Sequence, residues 1–253
     1  MTKIKLFCIP YAGGSASVYG KWRPYLNRDI DIIQLELAGR GKRFTSDQYR
    51  DIEEAVTDVY GQLKDEITPD TPYAIFGHSM GSLIALELAY KIYGNNLPPP
   101  AHLFLSGRKP PDDCREATKF HKLPNEEFLH EVKKYGGMTE EILAQRKLME
   151  IFLPIIRNDF RIIETHSFSQ KGYKLDCSIS AFYGKKDEMT EQDMQRYERF
   201  SLKACRVYGF DSGHFFIVED IESVTAAINN ILLNCSYSGN SGQKTVNSDG
   251  MEG

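Results

Sequence analysis

The stretch that decides the fold is Tyr73-Ala-Ile-Phe-Gly-His-Ser-Met-Gly-Ser-Leu-Ile-Ala-Leu-Glu-Leu-Ala-Tyr90. A short β-type run ends at Phe76, and a mostly apolar helical pattern begins directly after Ser79. Gly77 and Gly81 frame this serine in the pattern Gly-x-Ser-x-Gly, which is common by chance in other settings. Between a strand and a buried helix, the pattern places the serine on a sharp, strained turn that lifts its hydroxyl clear of a sheet. The position therefore predicts a nucleophilic serine, and the alternative is an inert serine in a small-residue turn.

Short β-type runs alternate with helical patterns on both sides of this stretch. The predicted strands are Lys3–Ile9, Ile30–Leu35, Tyr73–Phe76, His102–Leu105, Ser178–Tyr183 and Cys205–Tyr208. The predicted helices lie near 17–26, 52–66, 80–93, 189–201 and 221–233. Alternation of this kind indicates crossover connections, and hence an α/β fold with a mostly parallel sheet between two layers of helices.

The region from 112 to 168 breaks this alternation, because it holds helical patterns and no convincing strand. The predicted helices there are Asn125–Tyr135, Glu140–Glu150 and Phe152–Glu164. Extra core is one interpretation, and a helical lid over a site at the strand ends is the sharper one. We therefore predict a core of 1–111 and 169–235 with a lid insertion at 112–168. The Ser-, Gly- and Asn-rich tail, 236–253, is expected to be disordered.

A serine hydroxyl needs an adjacent base before it becomes a good nucleophile. Hydrolases with this elbow present their residues in the order Ser, Asp or Glu, His. Of the six histidines, only His130, His166 and His214 lie late enough, and the first two fall in the predicted lid. His214 follows a strand on a loop before the last helix, so it is the predicted base. His78, beside the serine, should point away from it and is interpreted as a packing residue.

The predicted acid is Asp187, which follows the preceding strand and a Gly turn. Its role would be to accept the Nδ1–H of His214 and hold the tautomer and orientation of the ring. Glu188 is the runner-up, and Asp211 lies too close to His214 along one loop. The alternative for Asp187 is a turn aspartate that caps the following helix.

Two backbone N–H groups are expected to hold the oxyanion of the reaction. The first is that of Met80, at the start of the helix after Ser79. The second should come from a loop after an early strand, and the Gly-rich stretch Ile9–Ser15 offers Ala12 or Gly13. A phosphate-binding loop is the alternative, but the stretch lacks both Gly-x-Gly-x-x-Gly and a Lys-Ser/Thr ending.

The composition and charge of the chain argue against several other classes of protein. The chain has 253 residues, 41% of them hydrophobic, which suits one sizeable domain with a full core. A formal net charge of −4 argues against a nucleic-acid partner, which calls for clustered Lys and Arg. The five cysteines, without CxxC spacing, suggest neither a disulfide framework nor a zinc site. No apolar run is long enough to span a bilayer and none reads as a signal peptide, so the expected location is cytoplasmic.

Taken together, these motifs resemble those of the type II thioesterases that accompany nonribosomal peptide and polyketide synthetases. The elbow is shared by many hydrolases, but its combination with the Ala-Gly-Gly loop and the Leu-Pro-x-x-Arg-x-Asp-Phe segment is far more specific. The resemblance extends to about Leu233 and rests on Pro10–Ala16, Gly39–Arg43, Phe76–Gly81, Ser106–Pro111, Leu123–Phe128, Gly136-Gly137, Leu153–Phe160, Tyr183–Asp187 and Gly213–Phe216. The chain departs from the family in two loops, with Ala38 in place of the usual Pro and Ser212 in place of a frequent Gly.

The resemblance implies an α/β-hydrolase fold and hydrolysis of stalled acyl or aminoacyl groups from the 4′-phosphopantetheine arms of carrier proteins. The family's triad falls on Ser79, Asp187 and His214, and its oxyanion donors fall on Ala12 and Met80. No metal and no cofactor are expected, since the substrate itself carries the phosphopantetheine. Acyl or peptidyl carrier proteins are the expected transient partners of a monomer. A general acyl-CoA thioesterase or carboxylesterase with the same triad is the alternative.

Basic residues lie in loops at the predicted strand ends: Arg40, Lys42, Arg43, Arg108 and Lys109. Either they meet the pantetheine phosphate or an acidic carrier surface, or they form a solvated charged face.

Overall fold

The central sheet of the molecule contains six parallel strands. In the computed structural model, the described residues are 3–111, 119–136, 145–169 and 171–238. The strands are β1 (Ile4–Ile9), β2 (Ile30–Gln34), β3 (Tyr73–His78), β4 (His102–Ser106), β5 (Ser178–Gly184) and β6 (Cys205–Phe210). Their order in the sheet is β2-β1-β3-β4-β5-β6. This arrangement confirms the predicted α/β fold, and each predicted strand is present with its ends within two residues.

Helices flank both faces of the sheet. The helices are α1 (Ile52–Leu63), α2 (Met80–Gly94), α3 (Asn125–Lys134), α4 (Arg146–Thr165), α5 (Glu191–Gln195), α6 (Phe216–Glu219) and α7 (Ile221–Ser238). Short 3-10 helices cover Ala16–Trp22, Gly41–Arg43, Lys64–Glu66, Phe120–Lys122 and Arg196–Phe200. Two predicted helices, near 17–26 and 189–201, are thus wholly or partly 3-10 in character.

Successive residues of the strands enter two separate cores, because side chains of a strand alternate between the faces of a sheet. In β3, Tyr73 and Ile75 pack with α1 and α2, whereas Ala74 and Phe76 pack with the Ala16–Trp22 turn and α7. Burial on both faces explains why the central strands β3 and β4 are almost continuously apolar in sequence.

The long helix α4 joins Arg146–Glu150 to Phe152–Glu164, which the sequence predicted to belong to two separate helices. Pro154 lies inside it, where the ring removes a backbone donor and normally breaks a helix. One face of α4 is nevertheless buried, through Ile155, Ile156, Asp159 and Ile162. This packing offsets the lost hydrogen bond and keeps the helix continuous. The part of the predicted helix from 140 to 144 lies outside the described residues.

Helix α7 continues to Ser238, three residues into the predicted disordered tail, and 239–253 lie outside the described residues. Within the described part of the chain, none of the helices has the length and apolar character needed to cross a membrane.

Because all six strands run in parallel, their carboxyl ends meet at one edge of the sheet. The loops after β1, β2, β3, β5 and β6 carry Ala12, Arg40, Ser79, Asp187 and His214 respectively. The fold therefore gathers the predicted site residues along this edge.

Candidate active site

Ser79 lies on a strained turn between β3 and α2. Its backbone has φ 54° and ψ −112°, which is unusual for a residue with a side chain. The flanking glycines make this turn possible. A Cβ at Gly77 would lie 2.0 Å from the carbonyl oxygen of Gly81, and a Cβ at Gly81 would lie 2.3 Å from that of Ile9. The N–H of Ser79 donates to the carbonyl of Ser106 on the neighbouring strand, at 2.8 Å. This is the local geometry expected of a nucleophile elbow.

His214 and Asp187 form a buried pair beside this turn. Nδ1 of His214 lies 2.6 Å from Oδ2 of Asp187, and the two side chains are 7% and 8% exposed. Oδ1 of Asp187 accepts the N–H of Glu188 at 2.7 Å. Burial alone would raise the pKa of Asp187, but the hydrogen bond and charge of His214 outweigh it and lower the pKa below the usual 3.8. The carboxylate is therefore ionised at neutral pH and can orient a neutral or charged imidazole.

The other acids and bases considered from the sequence lie in different environments. His130 is exposed on α3, and Nε2 of His166 lies 3.0 Å from Glu87 on α2. Asp211 is exposed and pairs with Lys185 at 2.9 Å. Glu188 is exposed, unlike its neighbour Asp187. Of the acids considered, Asp187 is the one hydrogen-bonded to His214 among the described residues.

Aromatic rings enclose the imidazole of His214. The ring centroids of Tyr135, Phe215 and His78 lie 5.2, 5.2 and 5.1 Å from its own. His78 is fully buried, and its Nδ1 lies 2.8 Å from the hydroxyl of Ser106. Burial, helped by the nearby His214, lowers the pKa of His78 well below 6.5, so this ring stays neutral. His78 thus packs behind the pair, as the sequence predicted.

The loop after β1 brings the backbone of Ala12 and Gly13 to the cavity that Ser79 lines. The N–H of Gly14 donates to the carbonyl of Tyr11 at 2.9 Å, and the N–H of Gly13 donates to Oδ2 of Asp159 at 2.7 Å. The N–H of Ala12 has no acceptor among the described residues. Of the two alternatives left open by the sequence, Ala12 is therefore the donor available to a ligand. Met80 begins α2, so its N–H lies at the positive end of that helix.

Asp159 was not among the predicted site residues, although it lies in a segment that carried the resemblance. Its carboxylate oxygens accept hydrogen bonds from Nη1 and Nη2 of Arg40, with N···O distances of 2.6 and 2.8 Å. The two side chains are 3% and 0% exposed. Both alternatives given for Arg40, a contact with phosphate or a carrier protein and a place in a solvated charged face, are therefore wrong, because its guanidinium is paired and buried.

The remaining loop cations differ in their freedom to bind a partner. Arg43 makes a two-pronged contact with Asp58, and Lys109 lies 3.0 Å from Asp193. Lys42 is exposed.

Ser79, His214 and Ala12 all line one cavity of about 560 Å³. Ser79, Ala12, Asp187 and His214 line one side. The other side is apolar and comes mainly from α3, α4 and the residue after α3: Val132, Tyr135, Met149, Phe152, Ile156 and Phe160. Its shape and lining suit an acyl chain that reaches the serine hydroxyl from an apolar pocket.

His, Cys, Asp and Glu side chains do not come together in groups of three that could hold a metal ion, as far as the described residues extend. The expectation that no cofactor is needed stays a prediction.

The parallel sheet, the strained serine turn and the His–Asp pair after the last two strands define the class of the protein, which is that of the α/β-hydrolases. Comparison with known proteins gives the family. A family model described as the thioesterase domain matches residues 4–232. The chain therefore belongs to the thioesterase domain family and is a thioester hydrolase.

Individual relatives support this assignment. The gramicidin S biosynthesis protein GrsT of Aneurinibacillus migulanus is 33% identical over 218 residues, which cover 86% of this chain and 84% of that protein. The crystal structure of ClbQ from the colibactin NRPS/PKS pathway superposes with a TM-score of 0.89 at 35% identity, covering 94% of this chain and 100% of that one. The type II thioesterase BorB from the borrelidin biosynthetic cluster superposes with a TM-score of 0.81 at 30% identity, covering 91% and 93%.

Proposed function

We propose that this chain is a type II thioesterase that hydrolyses stalled acyl or aminoacyl groups from the 4′-phosphopantetheine arms of carrier proteins in nonribosomal peptide or polyketide synthesis. The observation that carries the proposal is the shared cavity: the candidate nucleophile, base and acid line the same space of about 560 Å³ as the apolar side chains of α3 and α4. The names of the relatives point to nonribosomal peptide and polyketide pathways, and the sequence resemblance to type II thioesterases supplies the carrier-bound substrate class.

In the proposed mechanism, His214 removes the proton of Ser79 as the serine oxygen attacks the thioester carbonyl. The carbonyl oxygen gains negative charge and is held by the N–H groups of Ala12 and Met80. Collapse of this intermediate breaks the carbon–sulfur bond, and His214 returns its proton to the departing thiolate. A thiol with a pKa of about 8.5 departs readily, so little acid catalysis is required.

Water completes the reaction. His214 takes a proton from a water molecule that attacks the acyl group on Ser79, and the released serine oxygen recovers that proton. The products are the free acid and the regenerated enzyme. Asp187 stays ionised throughout and holds the imidazole by its Nδ1–H. All of the required groups belong to the chain itself.

The helices α3 and α4 would act as the lid of this site, because their side chains form the apolar lining of the cavity. The acyl group would lie against them while the pantetheine arm enters from the carrier protein. Carrier proteins are therefore the proposed transient partners. A monomeric state and a cytoplasmic location stay predictions from the sequence.

The test compares three substrates that carry the same acetyl or aminoacyl group: a phosphopantetheinylated carrier protein, the acyl-CoA and the p-nitrophenyl ester. A higher kcat/KM for the carrier substrate supports the editing function. Equal or higher values for the two free substrates would instead indicate general acyl-CoA or ester hydrolysis with the same residues. Ser79→Ala serves as the control for background hydrolysis in each assay.

A further inference from the structure

The carboxylate of Asp159 joins three segments of the chain at the edge of the cavity. It belongs to α4, it is fully buried, and it binds both terminal nitrogens of Arg40 from the loop after β2. Its Oδ2 atom also accepts the N–H of Gly13, at 2.7 Å, from the loop after β1. A buried carboxylate that accepts three charge-assisted or backbone hydrogen bonds is held in one orientation.

Two hydrogen bonds fix the peptide planes on both sides of Ala12, and Asp159 accepts the second of them. The carbonyl of Tyr11, in the plane before Ala12, accepts the N–H of Gly14 at 2.9 Å. The N–H of Gly13, in the plane after it, is held by Asp159. In a trans peptide the N–H points opposite to the carbonyl, so the direction of the Ala12 N–H follows from the first contact. The second contact occupies the N–H of Gly13, which has φ +75°, so this N–H is not available to a ligand.

Helix α4 holds the same loop through a second residue. A Cβ on Gly13 would lie 2.5 Å from Cγ1 of Ile156, so that side chain packs directly on the backbone of the loop. Ile156 and Asp159 are three residues apart and share one face of the helix. Ile156 also lines the apolar side of the cavity. A single helix thus contacts both the acyl pocket and the loop that carries the free donor.

The charge of Asp159 requires a partner at this position. An unpaired carboxylate close to the loop would repel the oxyanion that forms in the reaction. The guanidinium of Arg40 compensates it at 2.6 and 2.8 Å, and the pairing also raises the pKa of Arg40 despite its burial. Gly13 is therefore held by a carboxylate whose negative charge is offset.

We propose that Asp159, held by Arg40, is a positioning residue that fixes the loop Tyr11–Gly14 from α4 and so aims the N–H of Ala12 at the oxyanion. This role rests on the proposed function. Loss of one donor from an oxyanion site lowers kcat by roughly 10²-fold. Asp159→Ala should therefore lower kcat by about that factor, with KM for a small thioester changed only a few-fold. Asp159→Asn keeps an oxygen that can accept from Gly13 and should lose roughly 10-fold.

The experiment measures turnover of the acetyl thioester of N-acetylcysteamine, together with the binding of two analogues. A trifluoromethyl ketone forms a tetrahedral adduct with Ser79 and bears an oxyanion, whereas a thioether analogue has no carbonyl. In Asp159→Ala the affinity for the ketone should fall in parallel with kcat/KM, and the affinity for the thioether should stay within a few-fold of wild type. If the role of Asp159 were purely structural, Asp159→Ala would lower the affinities for both analogues by the same factor.

Asp58→Asn is the matched control. Asp58 makes a similar two-pronged contact with Arg43, three residues after Arg40, but it does not touch Gly13. This variant should keep the wild-type ratio of the two affinities. Melting temperatures establish that each variant is folded during the assay, and Asp159→Asn carries the test if Asp159→Ala does not fold.

Turnover within threefold of wild type in the Asp159 variants, or equal loss of affinity for both analogues, would overturn the positioning role. A wild-type enzyme that cleaves no thioester would instead overturn the proposed function itself.

Discussion

The carboxylate of Asp187 lies 2.6 Å from Nδ1 of His214, whereas the carboxylate of the next residue, Glu188, is exposed. If Asp187 orients the base, Asp187→Asn should lower kcat by roughly 10³- to 10⁴-fold, because an amide cannot hold the productive tautomer in the same way. Glu188→Gln, with the same chemical change one residue along, should change kcat less than about threefold. Steady-state rates on a small thioester measure both effects. If Glu188→Gln lowered kcat more than Asp187→Asn does, Glu188 would be the acid of the triad.

The strained backbone of Ser79 leads to a second prediction, on stability. A residue held in a sparsely populated region of φ and ψ costs about 1–3 kcal/mol, and glycine does not incur most of that cost. Ser79→Ala and Ser79→Gly should both lower turnover by at least about 10⁴-fold, since both remove the hydroxyl. Ser79→Gly should have the higher free energy of unfolding, by up to about 1 kcal/mol, after the greater flexibility of glycine in the unfolded chain is subtracted.

Urea unfolding of the two variants measures this difference. An ordinary, unstrained position would give the opposite order, with Ser79→Gly less stable than Ser79→Ala by about 0.5–1 kcal/mol. That order would show that the turn at Ser79 stores no strain. Both variants lack the nucleophile, so the comparison does not depend on the reaction.

The close approach of α2 to β1 gives a third prediction. A Cβ at Gly81 would lie 2.3 Å from the backbone oxygen of Ile9 and 2.7 Å from that of Pro10, so Gly81→Ala must move backbone. The free energy of unfolding should fall by about 1–3 kcal/mol. Turnover should fall as well, because the displaced backbone leads directly into the loop that carries Ala12.

The matched control is Gly61→Ala, in the interior of α1. A Cβ at Gly61 meets nothing within 4 Å, so alanine should raise the free energy of unfolding by about 0.5–1 kcal/mol. If both substitutions changed the free energy of unfolding by the same small amount, Gly81 would not be needed for the close contact between α2 and β1.

Local pattern was enough to predict the sheet and the residues at its edge. Each strand is a short, largely apolar run, and Ser79, Asp187 and His214 each lie within four residues of the end of such a run. The parallel arrangement then brings these loops together, so Asp187 and His214 meet although they are 27 residues apart. This inference required only the order of the elements.

The contacts of Asp159 could not be predicted in the same way. Asp159 is 119 residues from Arg40, and no period or spacing in the sequence connects them. Arg40 looked like a surface cation, because arginine is almost never fully buried unless it is paired. The continuous helix α4 was not predicted either: the sequence pattern ended one helix at Glu150 and began another at Phe152. In the folded protein, Met149 and Ile155 are buried on the same helix on either side of that gap.

The last prediction concerns the dependence of stability on pH through His102. This side chain on β4 is 5% exposed, and its Nε2 atom lies 2.8 Å from the hydroxyl of Ser180. Burial, with the nearby charge of Arg206, lowers the pKa of His102 from 6.5 to about 4. As the pH falls below about 6.5 the unfolded chain gains a proton that the folded protein does not accept until about pH 4. The free energy of unfolding should therefore fall by about 3 kcal/mol across this window on account of His102.

Urea unfolding of wild type and His102→Gln between pH 7 and pH 4 measures this contribution. The wild type should lose more stability per pH unit than the variant, by up to about 1.4 kcal/mol, because one proton is linked to unfolding. His78 acts in the same direction but is present in both proteins, so it cancels in the comparison. His130→Gln, at an exposed histidine of α3, is the control for the substitution itself. Parallel curves for wild type and His102→Gln would mean that folding does not change the pKa of His102.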